Sequence, residues 1–291
     1  MKNIFKLSVL AFLVILIAGS CKKLDRPALG DFPRDADPRF PLYPGGPLKF
    51  YAAFNGTSAD PLMNAVDSVR ANFPSSNPLA TVDGVSGKAL KGLFDKAVKY
   101  PSANDFAKAT SFTISFWIKN TPWAGGPGFV MSLTNKDYWH NSAIFLLFED
   151  QGQSSTTAAT MKFAVMDQWF EFAGAKILNK PVLDGQWHHL VFVYDEATSK
   201  ITYYIDGVAL TGLDPSLTDV KDGSNPRGKL KLTDTDGGSG SLVIGGWNKQ
   251  VGLDGPTDSW IQGFNGGLDQ FRFYGKVLTA AEIQALYNSK L

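Results

Sequence analysis

Cysteine is nearly absent. Cys21 is the only one in 291 residues, so the chain can close no disulfide within itself and cannot assemble a cysteine-based zinc site. Histidine is scarce as well, at three residues: His140, His188 and His189. Adjacent strand residues point to opposite faces, so His188 and His189 cannot share one metal ion. They read as strand residues, with His189 on the face of Trp187 and Val191 as a hydrogen-bonded core side chain. Glutamate is rare too: Glu149, Glu171, Glu196 and Glu282 are the four among 27 acidic residues. Glutamate favours helices whereas aspartate favours turns and caps. With 29 Gly and 16 Pro, this bias argues against a helical body and for many tight turns. Net charge is lacking: 28 basic residues nearly balance the acids, for a formal charge of +1. No strong field draws nucleic acid to such a surface. A membrane-spanning run is missing as well, because Leu7–Ile17 is too short to cross a bilayer. Behind Lys2 and Lys6 it has the layout of a targeting segment, residues 1–20, which stands outside the fold.

The run Ala18-Gly19-Ser20-Cys21 ends that segment. A lone cysteine there resembles the lipidation site of a bacterial lipoprotein, which implies cleavage before Cys21 and acylation on it. Stable anchoring follows when more than one acyl chain is attached. Ala18 departs from the Leu, Ile or Val usual three residues before the cysteine, and Ala18-x-Ser20 also suits ordinary secretory cleavage. Either route takes the protein out of the cytoplasm, and the lipoprotein route places it on the outer membrane of a Gram-negative, Bacteroidetes-type envelope. The next segment, 21–47, carries Pro27, Pro33, Pro38, Pro41, Pro44 and Pro47 without an apolar period. Proline at this density favours extended polyproline II. At about 3.1 Å per residue it spans up to roughly 80 Å as a tether; an irregular arm packed along the domain is the alternative.

From residue 48 the pattern is strands. Phe112, Ile114, Phe116 and Ile118 alternate with Thr113, Ser115, Trp117 and Lys119, the period of two of a strand with one buried face. Leu48–Phe54, Ala143–Phe148, Met161–Met166, Trp169–Ala173, Leu190–Tyr194, Ile201–Ile205, Leu242–Ile244 and Leu268–Tyr274 complete the set. Asp206-Gly207 predicts a type I′ hairpin turn, which needs positive φ at both positions. Thr279-Ala280-Ala281-Glu282 has capping-box spacing and predicts one short helix over 280–288.

Four pieces in order, FTISFWIKN (112–120), GQWHHLVFVYDEATSKITYYIDGV (185–208), LVIGGWN (242–248) and GGLDQFRFYGKVLTAAEIQALYN (266–288), resemble the laminin-G-like branch of the concanavalin A-like lectin/glucanase superfamily. The resemblance covers about residues 48–291. It implies an all-β fold, an antiparallel two-sheet jelly-roll sandwich, in agreement with the strand count. Many laminin-G-like domains bind calcium between the first and last strands. Here that implies a structural site joining Asp269 to Asn55 and Asp60, since calcium takes oxygens from carboxylates, amides and carbonyls. Asp269 shares strand parity with Phe271 and Phe273, so it is expected at the edge of the core, where an unpaired carboxylate is costly. Glucanases of the superfamily present Glu-x-Asp-x-Glu on one strand. That pattern is missing here: Glu149-Asp150 diverge and Glu171 has no paired acid in sequence. Glycoside hydrolysis needs two carboxyl groups across the bond, so a non-catalytic role is expected.

Sugars bind by stacking C–H faces on aromatic rings while Asp, Asn and Gln hold their hydroxyls. Trp123, Tyr138, Trp139, Trp247 and Trp260, with Asn248 and Asp258, lie at strand ends or in polar loops and supply both kinds of group. Satellite clusters of buried loop aromatics would use the same residues for packing alone. The reading is a monomeric, lipid-anchored envelope protein that binds extracellular glycan. A protein-binding or adhesion module is the first alternative, and a glycoside hydrolase with an atypical acid pair the second.

Overall fold

The computed structural model describes residues 47–54, 79–233 and 240–290. Cys21 and the calcium-loop residues Asn55 and Asp60 lie outside the described residues. Two sheets form the body. The first runs in the order β12 (Val208–Ala209), β11 (Lys200–Ile205), β10 (His188–Asp195), β5 (Phe112–Lys119), β17 (Gly267–Tyr274), β3 (Lys88–Lys91), β2 (Ala80–Asp83), and β1 (Leu48–Ala52) also pairs with β17. The second runs β4 (Val98–Tyr100), β15 (Leu242–Ile244), β6 (Gly128–Thr134), β7 (Ser142–Phe148), β8 (Met161–Val165), β9 (Gln168–Phe172), with β16 (Gln262–Gly263) beside β6. A two-residue ribbon, β13 (Lys221–Asp222) with β14 (Asn225–Pro226), stands apart. All pairings are antiparallel except that of β16.

The alternation in β5 sorts as predicted. Phe112, Ile114, Phe116 and Ile118 enter the core between the sheets, where the Phe116 ring stacks on Phe271 at 4.7 Å and 7°. Thr113, Ser115 and Trp117 face away, yet they too are buried, because a helix covers that side. Helix α1 (Ala280–Ser289) sets Ile283 and Leu286 on Val191 and Val193 and stacks Tyr287 on Trp117 at 5.6 Å. Full burial of Ile283 contributes about 2 kcal/mol. The expected capping box starts the helix: Thr279 Oγ1 accepts from the Glu282 N–H at 3.2 Å, and Glu282 Oε2 accepts from the Thr279 N–H at 2.7 Å. The hairpin turn is also as expected, with Asp206 at φ 52° and Gly207 at φ 80°.

Asp269 corrects a sequence expectation. Gln270 has φ 53°, and the register of β17 against β5 shifts between Asp269 and Arg272. This bulge places two residues, not one, between core-facing Leu268 and Phe271, so parity reverses across it. Asp269 therefore sits opposite Trp117 on the helix side of the sheet, not at the edge of the core. The histidines divide as strand parity requires. His189 lies in the layer between sheet and helix rather than in the sandwich core, with Ser115 Oγ 2.8 Å from Nε2 and Trp117 at 5.0 Å. Burial, with the nearby Arg272 charge adding to it, pushes its pKa down to about 3. His188 spans two carboxylates, with Nδ1 2.8 Å from Asp206 and Nε2 3.0 Å from Asp184. The Asp206 hydrogen bond is the main cause of its raised pKa.

Candidate functional site

The outer face of the second sheet carries a separate aromatic layer. Phe129 on β6, Phe145 and Leu147 on β7 and Ala164 on β8 point away from the core and cluster with Trp247 and Ile261 from the loop that crosses them. Trp247 is wholly buried in this layer. It stacks on Phe129 at 4.5 Å and 13° and on Trp139 at 5.3 Å and 4°, and its Nε1 donates to Ser142 Oγ at 2.6 Å. Asn248, buried beside it, fixes the loop: its Nδ2 donates to the carbonyls of Asn141 and Asp254 at 3.2 and 2.7 Å, and its Oδ1 accepts from Ser132 Oγ at 3.2 Å.

Two indoles stand on this layer with part of their surface open. Trp139 begins a one-turn element, Trp139–Asn141, in which His140 and Asn141 take positive φ of 43° and 63°. Asn and His tolerate this region better than most residues. Trp169, on the edge strand β9, meets Trp139 edge to face at 4.6 Å and 86°. Phe145 lies under both, at 5.3 Å from Trp139 and 5.0 Å from Trp169. Trp260 is 43% exposed and leans over Phe129 at 6.4 Å. The exposed His140 ring stands edge-on to Trp139.

A charged row adjoins these rings. In the register of β7, β8 and β9, Lys162 lies across from Leu147 and Glu171. Its Nζ is 2.8 Å from Glu149 and 3.6 Å from Glu171. Glu171 and Trp169 occupy alternate positions of β9 and share its outer face. Sequence reading missed this pair of acids because Glu149, just past the end of β7, and Lys162 and Glu171, on β8 and β9, meet only through strand register. A polar hollow of about 260 Å³ opens at the other end, walled in part by Asn135, Asn141, Asn248 and Asp254.

The residues singled out from sequence fall into two groups. Trp139 and Trp260 offer ring surface, and Asp258 is exposed on the same loop. Trp247, Asn248 and Trp123 are buried, which corrects the expectation of direct contact: Trp247 and Asn248 support the surface from beneath, and Trp123 belongs to the main core. Trp123 packs on Phe264 and donates to the Gly126 carbonyl at 2.8 Å. Half-buried Tyr138 packs against the main core and donates to the Lys231 carbonyl. Trp169, Lys162 and Glu171 join the site from structure.

Asp269 is the one calcium candidate among the described residues. Its Oδ2 accepts from the Val85 N–H at 2.8 Å, and the N–H groups of Gln270 and Ser86 and the charge of Arg272 also act on it. Burial outweighs them and raises its pKa to about 7. Amide donors and a guanidinium do not coordinate a cation. Among the described residues no group of three or more carboxylate, His or Cys side chains converges. Its Oδ1 has no hydrogen-bond partner among the described residues, and the other two calcium candidates, Asn55 and Asp60, lie outside them.

With this fold and face in place, the chain belongs to the concanavalin A-like lectin/glucanases superfamily, whose laminin-G-type family model matches residues 91–284. No curated protein matches it in sequence. Among solved structures it is similar to domain 4 of the GH43 extracellular arabinanase AbnA from Geobacillus stearothermophilus, solved in complex with arabinotriose. The two share 17% identity over 82% of this chain and 98% of that one, at TM-score 0.52. A sialidase from Trypanosoma rangeli, in a covalent-intermediate complex, matches at 13% identity and TM-score 0.51, over 86% of this chain but only 34% of that chain. The binding domain of Paraclostridial Mosquitocidal Protein 1 matches at 15% identity and TM-score 0.50, over 83% of this chain and 52% of that one. At these identities the likeness concerns the fold.

Proposed function

We propose that the protein is a non-catalytic glycan-binding module of the cell envelope, held on the outer membrane through lipidated Cys21 and the 21–47 tether. The observation that carries this reading is the pair of crossed, part-open indoles of Trp139 and Trp169 beside Glu171, Lys162 and His140. One indole offers a stacking face, and the charged row offers donors and acceptors for hydroxyls around it. The rings rest on Phe145 and buried Trp247, so the platform is rigid before a ligand arrives, which lowers the cost of binding. The arabinanase domain of the same fold was solved with a neutral oligosaccharide, and a neutral chain meets no repulsion from the two carboxylates that share Lys162. Hydrolysis needs two carboxyl groups free to flank a scissile bond, whereas Glu149 and Glu171 are both ion-paired to Lys162.

The test is a glycan array followed by calorimetry on the full chain and on Trp169→Ala. Loss of one stacking ring is expected to weaken binding to a neutral oligosaccharide at least tenfold without a loss of folded protein. Binding unchanged in Trp169→Ala and Trp139→Ala, or release of reducing ends from the bound oligosaccharide, would overturn the reading. Failure to bind any glycan would move it to a protein ligand.

A further inference from the structure

A second aromatic cleft lies on the outer face of the first sheet, away from the platform on the second. Gly267 in β17 sits between Lys91 of β3 and Lys119 of β5. Having no side chain, it leaves a gap in the sheet surface, and the six-membered ring of Trp187 lies in that gap. A Cβ on Gly267 would stand 2.8 Å from Trp187 Cη2 and 3.2 Å from Cζ2, so no other residue fits there without moving the indole. Half-buried Trp187 thus closes one side of a cleft of about 460 Å³ that Lys91, Lys119, Asn120 and Asp83 also line.

The charges are one-sided. Lys91 is partly withdrawn from water, which lowers its pKa, and its Nζ donates to the Asn265 carbonyl, a neutral partner. Exposed Lys119 has no carboxylate partner among the described residues. The one acid lining the cleft, Asp83, is taken up by Lys88 at 2.6 Å. Two ammonium groups therefore flank an indole without neutralisation. A part-buried cation without a counter-ion favours an incoming anion more than an exposed one does, because less water screens it.

We propose that this cleft binds an acidic saccharide residue, with its C–H face on Trp187 and its carboxylate or sulfate between Lys91 and Lys119. Asn120 and Thr121 stand at the rim as hydrogen-bonding groups for hydroxyls. A nucleic acid would need a long stripe of cations along its backbone, which two lysines and a paired aspartate do not supply. The site is independent of the Trp139–Trp169 platform, so the two readings can fail separately.

The test is titration calorimetry of the full chain with tetragalacturonate, its methyl ester and a sulfated galactotetraose, at low and high salt. The expected result is that the acid binds at least tenfold more tightly than the neutral ester, and that salt weakens it. The Lys91→Gln/Lys119→Gln variant is expected to lose at least tenfold, as is Trp187→Ala, while Trp169→Ala keeps full affinity. Thermal melts confirm folding, and Trp187→Phe keeps the test valid should the alanine variant unfold. Binding of the sulfated sugar instead, with the same variant pattern, supports the site with sulfate as its anion. Equal affinity for acid and ester, loss in Trp169→Ala but not in the lysine variant, or preference for a mononucleotide would overturn the proposal. So would the absence of any bound anionic sugar.

Discussion

Trp247 gives a direct test of how the exposed indoles are held. It touches no solvent, so any effect on ligand binding travels through its ring neighbours, above all Trp139, which it meets ring on ring at 5.3 Å. Truncation to alanine empties a space of indole size between Phe129 and Trp139. Buried Trp→Ala changes cost about 3–5 kcal/mol, and the Ser142 hydroxyl loses its Nε1 donor, about 1 kcal/mol more. In a domain of this size, 1 kcal/mol moves Tm by roughly 2–4 °C, so the expected drop for Trp247→Ala is about 10 °C or more. Trp247→Phe keeps the stack and loses the hydrogen bond and part of the area, for about 1–2 kcal/mol. Urea unfolding measures both variants. Calorimetry with the neutral oligosaccharide should show at least a tenfold loss for alanine, as Trp139 sinks into the vacated space, and less than threefold for phenylalanine. The reasoning fails if the alanine variant loses under 1 kcal/mol, or if it stays folded and binds as tightly as the parent.

Two further outcomes concern stability alone. His189 is buried neutral with its pKa pushed down to about 3, so the unfolded chain binds its proton first as pH falls. Its contribution is complete above the unfolded value of 6.5 and declines by up to about 1.4 kcal/mol per pH unit toward pH 3. Asp269, raised to about 7 by burial, acts in the opposite sense. Its contribution is complete below the unfolded value of 3.8 and is lost as pH rises to about 7. Asp269→Asn should therefore steepen the acid loss between pH 6.5 and 4 in urea midpoints, and curves parallel to the parent would contradict this. Thr279→Ala removes the helix cap and should cost about 1 kcal/mol, read as a Tm drop of roughly 2–4 °C.

Local signals in the sequence proved reliable because local chemistry decides them. Asp206-Gly207 and Thr279…Glu282 each specify a turn or cap within four residues, and both form as written. The alternation of β5 sorts Phe112 to Ile118 because one face must leave water. The bulge at Gln270 was not legible, since a glutamine at φ 53° carries no local mark, and one extra residue reverses every parity argument that crosses it. Burial of Trp247 was hidden for another reason. A strand-end Trp in a Gly- and Asn-rich setting suits an open loop and a covered one equally, and only the loop that folds back over β6 and β7 decides. Glu149, Lys162 and Glu171 are far apart in sequence and become neighbours only through register. Cross-strand neighbourhoods of this kind are invisible to motif spacing.

The place of β17 has a consequence for how the molecule is made. The last strand in the chain lies in the middle of the first sheet, with β5 on one flank and β3 and β1 on the other. Until residues 267–274 have left the ribosome, β2 and β3 form a hairpin, β1 lacks its strand partner among the described residues, and β5 offers an open ladder to any strand nearby. Closure joins residues from 148 (Gly267 and Lys119) to 226 (Leu48 and Tyr274) positions apart, and such distant pairings form slowly. A chain that pauses short of β17 is thus an aggregation hazard, with its first sheet split and sticky.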